Sequence, residues 1–439
     1  MKIFDSMKYY IIAGEASGDL HGSNLMKGIY AEDPQADIRF WGGDLMLSVW
    51  ENWQNARTYD FNAAFSASGI TNGKSTEKKS ADQQKHTGLV RHYKEGAVMG
   101  FVEVLAKAPK LLGNVRHCKK DILDWNPDVV ILIDYPGFNF KIAEFAHKAG
   151  FKVFYYIAPK VWASRESRIK KLKAYVDKLF IVFPFEKPYF DAKGIDYIYK
   201  GNPLVDAVDN SKAMQETADD FRTRCDLEKV PYIALLAGSR KGEINTMMPV
   251  LTEVAAKLHS TAEYSDYKFI IAGAPSRTMK DYERHLSEEN KKYMTVLFGE
   301  TQAIIKNAKA AIVNSGTASL ETVLFNTPQV VGYITNPITY MIAKSIVKIR
   351  YISLGNLIID KLAFRELIQN DCNSDALVTE IRALIEDDQY RNAMLQDYAL
   401  IRETLGGSGA SSAVARAMID ELKSLAYCIG KEHSENKKN

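Results

Sequence analysis

The sequence predicts an α/β protein in which two doubly wound parallel sheets face each other across a cleft. Short, wholly apolar segments alternate with helical patterns in the first half of the chain, and the alternation restarts near Tyr232. Apolar strands that alternate with helices are typical of parallel sheets covered on both faces. The chain has 439 residues, which is more than one ordinary core and favours two domains. Each domain is expected to be Rossmann-like.

The predicted strands occur in two series. In the first half they are carried by "YYIIAG", "ADIRFWGG", "DVVILIDYPG", "FKVFYYIAP", "KLFIVFPFE" and "IDYIYKGNP". In the second half they are carried by "YIALLAG", "KFIIAGAP", "MTVLFGE", "AAIVNSG" and "PQVVGYI". A polar segment separates the two series, so we expect an N-terminal domain over 1–208 and a second domain over 209–374. Residues 375–428 are expected to form helices that pack on the first domain or on a partner subunit, and 429–439 a flexible tail.

The composition is that of a globular protein, with 46% apolar and 25% charged residues. A formal net charge of +3 gives no reason to expect a nucleic-acid partner. The four cysteines lie far apart without C-x-x-C spacing, which argues for a reducing compartment and against a disulfide framework or a zinc site. No apolar stretch is long enough to span a bilayer. We therefore expect a cytoplasmic protein whose membrane contact is at most peripheral.

Residues 47–88 interrupt the alternation of strands and helices. The segment is rich in Ser, Thr, Asn, Gln, Lys and Gly, and most of it lacks an apolar period. It is expected to be a long surface loop inserted into the first domain, disordered at least around 68–88. Two interpretations stay open: an insertion that the fold tolerates, and a segment that binds a partner or gates the cleft.

Asp134 is the best candidate for acid–base chemistry. Ligands of doubly wound sheets bind at the loops that follow the carboxyl ends of the strands, and Asp134 ends the apolar strand of "ILIDYPGFN". A carboxylate there is costly unless the strand end opens into a cleft, where partial burial raises its pKa toward that of a general base. The alternative is a structural aspartate that caps the helix beginning near Phe138.

Two loops of the second domain have the features of a phosphate site. In "NSGTASLE" (314–321), backbone N–H groups and hydroxyls lie at the start of a helix, whose dipole attracts anions, and Glu321 is placed to bind ribose hydroxyls. In "AGSRKGEI", Arg240 follows a buried strand and is suited to neutralising a diphosphate. The alternatives are an ordinary helix N-cap and a surface cation. The candidate nucleotide-binding residues are Gly238, Ser239, Arg240, Asn314, Ser315, Gly316, Thr317 and Glu321.

No metal site is expected. The eight histidines include no H-x-x-x-H or H-E-x-x-H pattern, and no D-x-D motif accompanies the loops described above. A mechanism without a metal ion or other cofactor is therefore favoured.

Two segments of the first domain are candidates for contact with an anionic or lipid surface. The basic stretch 159–178 begins near Trp162 and suits anionic head groups, while 98–115 has an apolar stripe. The alternatives are a solvated basic face and an ordinary core helix. The residues singled out are Met99, Phe101, Val104, Leu105, Trp162, Arg165, Arg168, Lys170 and Lys171.

Several motifs together resemble the lipid-A-disaccharide synthases, a family of inverting glycosyltransferases with the GT-B fold. The similar segments lie in family order between residues 11 and 372, and only 47–88 finds no counterpart. They are "AGEASGDLHGSNL", "GGDLM", "MGFVEVL", "ILIDYPGFN", "APKVWASRESRIKKL", "FPFEKPYF", "GNPLVD", "GSRKGEI", "NSGTASLE", "VVGY" and "ELIQNDC". The first of these, with its A-G-E-x-S-G-D pattern, is highly specific.

The resemblance implies a reaction and a role for each loop. A UDP-2,3-diacylglucosamine donor would meet a 2,3-diacylglucosamine 1-phosphate acceptor, whose 6-hydroxyl attacks the anomeric carbon to give a β-1,6 disaccharide and UDP. Asp134 then resembles the base, Arg240 a diphosphate clamp and 314–321 the nucleotide cradle, with Asn139 on the acceptor side. The family is associated peripherally with the inner membrane of Gram-negative bacteria, and some members form homodimers that exchange C-terminal segments.

The first loop, 14–19, reads G-E-A-S-G-D rather than the dinucleotide-binding G-x-G-x-x-G. Because the phosphate-type features lie in the second domain, its glycines are expected to keep the strand-to-helix turn tight. Glu15, Ser17 and Asp19 are then expected to face the acceptor side of the cleft, where they position sugar hydroxyls or orient Asp134.

Some positions differ from the family pattern, among them Ala237 before G-S-R and Ser164 in "WASR". They put details of the acceptor contacts in doubt rather than the class. Two other functions stay open at this point: another GT-B enzyme acting on a UDP-sugar, such as an epimerase or a different glycosyltransferase, and a non-catalytic nucleotide-sugar-binding protein.

Overall fold

The computed structural model describes residues 6–67, 88–96, 108–163, 166–336, 340 and 350–435. The strands of the first half are β1 (Lys8–Ala13), β2 (Asp37–Gly42), β3 (Leu89–His92), β4 (Val129–Ile133), β5 (Lys152–Tyr156), β6 (Lys178–Ile181) and β7 (Tyr197–Tyr199). Those of the second half are β8 (Tyr232–Leu236), β9 (Lys268–Gly273), β10 (Met294–Phe298), β11 (Ala310–Asn314), β12 (Gln329–Tyr333) and β13 (Glu366–Ile368).

Helices connect these strands and follow the last of them. In the first half they are α1 (Ala16–Glu32), α2 (Asp44–Ala67), α3 (Tyr93–Gly96), α4 (Ala108–Trp125), α5 (Pro136–Lys148), α6 (Ile169–Tyr175), α7 (Glu186–Ala192) and α8 (Pro203–Asp209). The remainder are α9 (Lys212–Gln215), α10 (Ala218–Arg224), α11 (Lys241–His259), α12 (Met279–Glu283), α13 (Thr301–Asn307), α14 (Thr317–Leu324), α15 (Leu354–Ile359), α16 (Ser374–Glu386), α17 (Asp388–Leu405) and α18 (Ala410–Glu435).

Over these ranges the strands form two parallel sheets, in the orders β3-β2-β1-β4-β5-β6-β7 and β10-β9-β8-β11-β12-β13. Each sheet has one point where the strand order reverses, between β1 and β4 in the first and between β8 and β11 in the second. A reversal leaves a crevice at the carboxyl ends of the two central strands, because the helices that follow them cover opposite faces. The four loops with the sequence motifs of interest follow these four strands.

The central strands are buried on both faces. Every residue of β4 and of β8 is buried, as the apolar segments predict. Along β4, Val129, Ile131 and Ile133 pack into one apolar core of the protein, while the two alternate residues, Val130 and Leu132, pack into a second. This alternation fixes the register of β4, and so the place where the strand ends at Asp134.

The expectation of a loop over 47–88 is wrong for its first half, which belongs to the helix α2. Met46 is fully buried, and the ring of Trp53 stacks on Tyr30 with 4.7 Å between the ring centroids. With Trp50, which packs against the same core, these residues recur at 46, 50 and 53, the spacing of one helix face. Because most residues of the segment are polar, this apolar stripe was not recognised in the sequence. Residues 68–87, where disorder was expected, lie outside the described residues.

The C-terminal helices divide between the two halves. Helix α16 packs on α11, where the Lys257 ammonium lies 2.6 Å from the Asp375 carboxylate. Helix α18 instead crosses to the first half and packs along α1. The helices meet closely there, since a Cβ placed on Gly28 would lie 2.9 Å from Cβ of Ala415. Helix α18 continues to Glu435, so the flexible tail predicted from 429 is wrong up to that residue.

The start of α18 is held by an aspartate of α8. Asp206 is buried, and its carboxylate accepts hydrogen bonds from the backbone N–H groups of Gly409 (2.5 Å) and Ser411 (2.6 Å). A carboxylate at a helix N terminus satisfies N–H groups that have no partner within the helix and interacts favourably with the helix dipole. On the far side of α18, Glu421 pairs with Lys178 of β6 at 2.7 Å. None of the described helices is both long and apolar enough to cross a membrane.

Candidate functional site

Asp134 occupies a strained stretch of backbone at the end of β4. Asp134 and Tyr135 both have positive φ angles, 42° and 45°, a conformation that costs a residue with a side chain about 1–2 kcal/mol. The stretch is held by its neighbours, because the carbonyl oxygen of Asp134 accepts hydrogen bonds from the Tyr155 hydroxyl (2.6 Å) and the Asn139 amide (2.8 Å). Strain that is fixed in this way is a common feature of functional sites, where it directs a side chain.

The electrostatic surroundings of Asp134 suit a base. Burial raises the pKa of the Asp134 carboxyl, while Lys160, Arg168 and Arg240 oppose this rise as nearby positive charges. A carboxylate that is partly desolvated but compensated by cations remains able both to ionise and to accept a proton. The role of Asp134 as the acid–base residue stays a prediction.

Glu15 is a second carboxylate beside Asp134, and its pKa is affected both by Asp134 and by a residue of the second half of the chain. It is the N-cap residue of α1, and burial raises the pKa of its carboxyl. The strongest opposing charge is Arg240, whereas the neighbouring Asp134 raises the pKa of Glu15 further. Arg240 follows β8 and therefore acts from the second sheet on two carboxylates of the first. This interaction places the carboxyl ends of the two sheets opposite each other.

Gly14 is required by a close approach between the first two loops. The ring of Tyr135 lies against it, and a Cβ on Gly14 would be only 2.2 Å from Cδ1 of that ring. A larger residue would therefore displace Tyr135 and, with it, the adjacent backbone of Asp134. The glycine keeps the loops of β1 and β4 together, as the expected tight turn implies. Ser17 lies in the first turn of α1 and is partly buried.

The loop before Arg240 is stabilised by a carboxylate of its own helix. Gly238 has a φ of 103°, and a Cβ there would lie 2.6 Å from both the Asn314 amide nitrogen and a carboxylate oxygen of Glu243. The backbone N–H groups of Ser239 (3.0 Å) and Arg240 (3.2 Å) both donate to Glu243. The backbone of Gly238 and Ser239 thus shapes the loop. The half-exposed Arg240 guanidinium lies 3.4 Å from the Glu243 carboxylate, and its charge acts on Glu15 and Asp134.

The start of α14 differs from that of α11, because its N-cap residue is Gly316, which has no side chain to cap the helix. Ser315, Gly316 and Thr317 are at least partly accessible. Asn314 is buried, with its amide nitrogen toward Gly238, and its carbonyl oxygen has no hydrogen-bond partner. A helix start without a side-chain cap attracts anions.

Glu321 lies on the second turn of α14. Its carboxylate accepts a hydrogen bond from the Gln302 amide at 3.3 Å, and burial raises the pKa of the group. A partly buried carboxylate with a single amide donor retains acceptor capacity for a hydroxyl.

Asp19 is not in the cleft position that was predicted for it. It is 3% exposed, and its carboxylate accepts hydrogen bonds from the backbone N–H groups of Gly43 (2.7 Å), Leu45 (3.1 Å) and Met46 (3.1 Å). Burial raises the pKa of Asp19, and these three donors oppose the rise. Asp19 therefore holds the start of α2, and we assign it a structural role in place of the catalytic one.

Asn139 and Trp162 are also directed inward rather than toward an acceptor or a membrane. Asn139 is fully buried and donates to the carbonyl oxygens of Ile133 and Asp134, so it supports the strained backbone. The Trp162 indole N–H donates to the Glu186 carboxylate at 3.1 Å, because a largely buried indole needs a partner for its N–H. Both are supporting residues of the site.

The basic stretch 159–178 is not one helix. It consists of a turn, a short 3-10 helix over Glu166–Arg168 and α6. Lys170 and Lys171 are exposed on α6, whereas Arg168 lies 5.8 Å from the Phe140 ring and acts on Asp134. Met99, Phe101, Val104, Leu105 and Arg165, the other predicted surface-contact residues, lie outside the described residues.

Sequence reasoning missed three charged residues of the site. Lys160 acts on both Asp134 and Glu15, Glu243 holds the loop of Arg240, and Glu186 is a buried acid below the 157–163 loop. Burial raises the pKa of Glu186 to about 7, although it accepts hydrogen bonds from Val182, Phe183 and Trp162. The signal available was their place in segments quoted for the family resemblance, since Lys160 lies in "APKVWASRESRIKKL", Glu186 in "FPFEKPYF" and Glu243 in "GSRKGEI". Within the described ranges, no group of three or more His, Cys, Asp or Glu side chains is arranged to hold a metal ion.

Two Rossmann-like sheets with their carboxyl ends opposed define a protein of the GT-B class, as predicted. Solved structures with this fold include the S. aureus MnaA–UDP structure (TM-score 0.62, 13% identity, 95% of this chain and 97% of that chain). They also include the Methanocaldococcus jannaschii UDP-GlcNAc 2-epimerase in complex with UDP-GlcNAc and UDP (TM-score 0.59, 14% identity, 94% and 99%). At these identities the likeness establishes the fold alone.

The family is established by the sequence comparisons. The family model described as lipid-A-disaccharide synthetase matches residues 76–417. The lipid-A-disaccharide synthase of Syntrophus aciditrophicus is 33% identical over 414 residues, which is 94% of this chain and 97% of that protein. The one from Trichlorobacter lovleyi is 32% identical over 413 residues, with the same coverage. The chain belongs to the lipid-A-disaccharide synthase family, and the predicted resemblance is confirmed.

The structural assignment of Asp19 is testable by substitution. Asp19→Ala leaves three buried N–H groups at the start of α2 without an acceptor, so we expect the free energy of unfolding to fall by about 2–3 kcal/mol. Asp44→Ala, in the exposed first turn of the same helix, should change it by less than about 0.5 kcal/mol. Chemical denaturation of the three proteins measures both effects. An Asp19→Ala protein with wild-type stability and no activity would contradict the structural assignment and indicate a catalytic role for Asp19.

The raised pKa of Glu186 predicts a pH-dependent stability. Between 4.5, its ordinary value, and about 7, the unfolded chain loses this proton while the folded chain keeps it, so the folded state becomes less favoured as the pH rises. Relative to wild type, Glu186→Gln should therefore gain about 3 kcal/mol of stability across this range. Denaturant midpoints at a series of pH values measure the difference.

The control for this prediction is Glu144→Gln. A hydrogen bond with Lys148 lowers the pKa of the Glu144 carboxyl, so this substitution should lose stability relative to wild type as the pH rises toward 4.5, the opposite sign, and should show no pH dependence between 4.5 and 7. A stability difference between Glu186→Gln and wild type that is independent of pH would show that Glu186 is ionised in the folded protein throughout.

Proposed function

We propose that this chain is an inverting glycosyltransferase that joins UDP-2,3-diacylglucosamine to 2,3-diacylglucosamine 1-phosphate. The products are the β-1,6-linked disaccharide 1-phosphate and UDP. The observation that carries the proposal is the opposition of Arg240 on the second sheet to Glu15 and Asp134 on the first. It brings a cation for a leaving diphosphate and a base for an attacking hydroxyl to one cleft. The named relatives of the family support the choice of substrates.

In the proposed reaction Asp134 takes the proton of the acceptor. The oxygen of the 6-hydroxyl bonds to the anomeric carbon, the bond from that carbon to the diphosphate oxygen breaks, and the hydroxyl proton passes to the Asp134 carboxylate. Attack from the face opposite the leaving group inverts the anomeric centre. The raised pKa of Asp134 and its strained, well-supported backbone favour this role.

The departing UDP takes the electron pair of the broken bond, so negative charge grows on the diphosphate. Arg240 and the start of α14, over 315–317, are placed to stabilise that charge without a metal ion. Glu321 would accept hydrogen bonds from the ribose. On the first sheet, Glu15 and Ser17 would position hydroxyls of the acceptor.

The acyl chains of both substrates call for a cytoplasmic protein that associates peripherally with the inner membrane. The exposed Lys170 and Lys171 on α6 and the exposed Leu112 on α4 support such a contact with anionic lipid. A homodimer with exchanged C-terminal segments would re-form the contact of α18 with α1 between two chains. Vesicle sedimentation and the mass of the protein in solution test these two points.

The activity is tested with the purified protein in detergent. Wild type supplied with both substrates and a chelator should release UDP and form the disaccharide in equal amounts. An acceptor that lacks the 6-hydroxyl oxygen should give neither product, because nothing then attacks the anomeric carbon. Absence of disaccharide with the intact acceptor would overturn the proposal, and epimerised UDP-sugar in its place would identify a different GT-B enzyme.

The role of Asp134 predicts a selective loss. Asp134→Asn keeps the size of the side chain but cannot take a proton, so we expect kcat to fall at least about a hundredfold while UDP still binds. Asp128→Asn, just before the opposite end of β4, is the matched control and should leave kcat unchanged. Steady-state kinetics and UDP titration measure both. Wild-type turnover in Asp134→Asn would remove this residue from the base role.

A further inference from the structure

The loop over 157–163, which follows β5, is fixed at several points. The N–H of Ile157 donates to the Phe180 carbonyl at 3.0 Å, and the Trp162 indole donates to Glu186 at 3.1 Å. Between them, Ala158 and Val161 are buried. A lysine on such a loop has its backbone fixed, which reduces the conformational entropy lost when its side chain binds a ligand.

Lys160 is exposed on this loop. The loop begins beside Asp134, since the N–H of Asp134 donates to the carbonyl oxygen of Tyr156 at 3.1 Å. Of the charged groups that act on Asp134, Lys160 is the strongest, ahead of Arg168 and Arg240. It also acts on Glu15 and, through the loop, on Glu186. The cleft therefore has two distinct cations that act on both Glu15 and Asp134: Arg240, which follows a strand of the second sheet, and Lys160, which follows a strand of the first.

The two substrates carry phosphate groups at two places, and each cation is suited to one of them. Arg240 and the start of α14 belong to the second sheet and serve the diphosphate of the donor, whereas Lys160 belongs to the sheet that carries the proposed base. In a hexose 1-phosphate the 6-hydroxyl and the phosphate lie on the two carbons that flank the ring oxygen, one directly and one through C6. A group that binds this phosphate must lie within one sugar ring of the base, and Lys160 lies on the loop that follows β5, the strand paired with β4 up to Ile133 and Tyr156.

We propose that Lys160 binds the phosphate of the acceptor, and that the pair Trp162–Glu186 is a positioning device that holds Lys160 beside the base. The inference rests on the proposed function and adds the group that selects a phosphorylated acceptor. Arg168, the last residue of the 3-10 helix Glu166–Arg168, also acts on Asp134 and contributes to the positive field there. A charge-assisted hydrogen bond from an ammonium to a phosphate oxygen is the contact expected.

Kinetics with two acceptors test the proposal. The acceptors are 2,3-diacylglucosamine 1-phosphate and the corresponding methyl glycoside, which lacks the phosphate. Lys160→Met should lower kcat/KM for the phosphorylated acceptor about ten- to a hundredfold, mainly through KM, and should change the methyl glycoside and the donor KM by less than about threefold. Lys160→Arg, which retains the charge, should restore most of the loss.

The matched control is Lys148→Met. This lysine is exposed at the far end of α5, where it pairs with Glu144, and its substitution should leave kcat/KM for both acceptors and the donor KM unchanged. A loss in Lys160→Met that is equal for both acceptors would show that the lysine acts only on Asp134 or on the loop, and would overturn the proposal. Wild-type kinetics for the phosphorylated acceptor in Lys160→Met would overturn it as well.

Equilibrium binding separates this proposal from the proposed function. Calorimetry of UDP-loaded protein with the phosphorylated acceptor needs no turnover, so it reports on Lys160 even if the wild type transfers no sugar. Lys160→Met should weaken this binding about ten- to a hundredfold and flatten its dependence on salt. Equal affinity of wild type and Lys160→Met would contradict the phosphate contact.

The positioning pair has a test of its own. Trp162→Phe keeps a ring against Phe185 but removes the N–H that donates to Glu186. We expect KM for the phosphorylated acceptor to rise about three- to tenfold, with the donor KM and the KM for the methyl glycoside unchanged. A uniform fall in kcat for both acceptors would mean that the pair serves the stability of the loop and not the placement of Lys160.

Discussion

The arrangement of the site depends on the attraction between Arg240 of the second sheet and the carboxylates of Glu15 and Asp134 on the first. Two acidic groups at the buried ends of neighbouring strands repel each other and lose hydration, so without cations one of them would take up a proton. Arg240 and Lys160 reduce this penalty from opposite sides. The charge balance of the cleft is therefore complete only when both sheets contribute to it.

The fold and the positions of Asp134 and Arg240 at strand ends could be predicted because both follow from local pattern. Apolar runs of strand length indicate buried parallel strands, and their carboxyl ends place Asp134 and Arg240 at the reversal points of the two sheets. No long-range information was needed. The same reasoning predicted a tight turn at Gly14, although its cause, the ring of Tyr135 from a loop about 120 residues further along, could not be read from the sequence.

The errors share one origin, which is contact between distant segments. Asp19 was predicted to face the cleft because it lies in the first loop. In the structure its carboxylate instead accepts hydrogen bonds from the N–H groups of Gly43, Leu45 and Met46. Likewise, the polar composition of 47–67 led to the prediction of a loop, although Trp50 and Trp53 recur there at helical spacing. Lys160 and Glu186 lie within two of the quoted segments, but nothing in those segments shows that the loop after β5 lies beside the loop after β4 or that Glu186 is buried.

Helix α18 has a consequence for the biosynthesis of this chain. It covers α1, but Arg416 and its partner Glu32 are separated by 384 residues. At a synthesis rate of about 5–20 residues per second, the ribosome adds Arg416 roughly 20–80 s after Glu32, so α1 is complete that long before the helix that covers it. The N-terminal half is thus synthesised early but completed late, and during that interval the face of α1 that α18 covers is exposed to solvent.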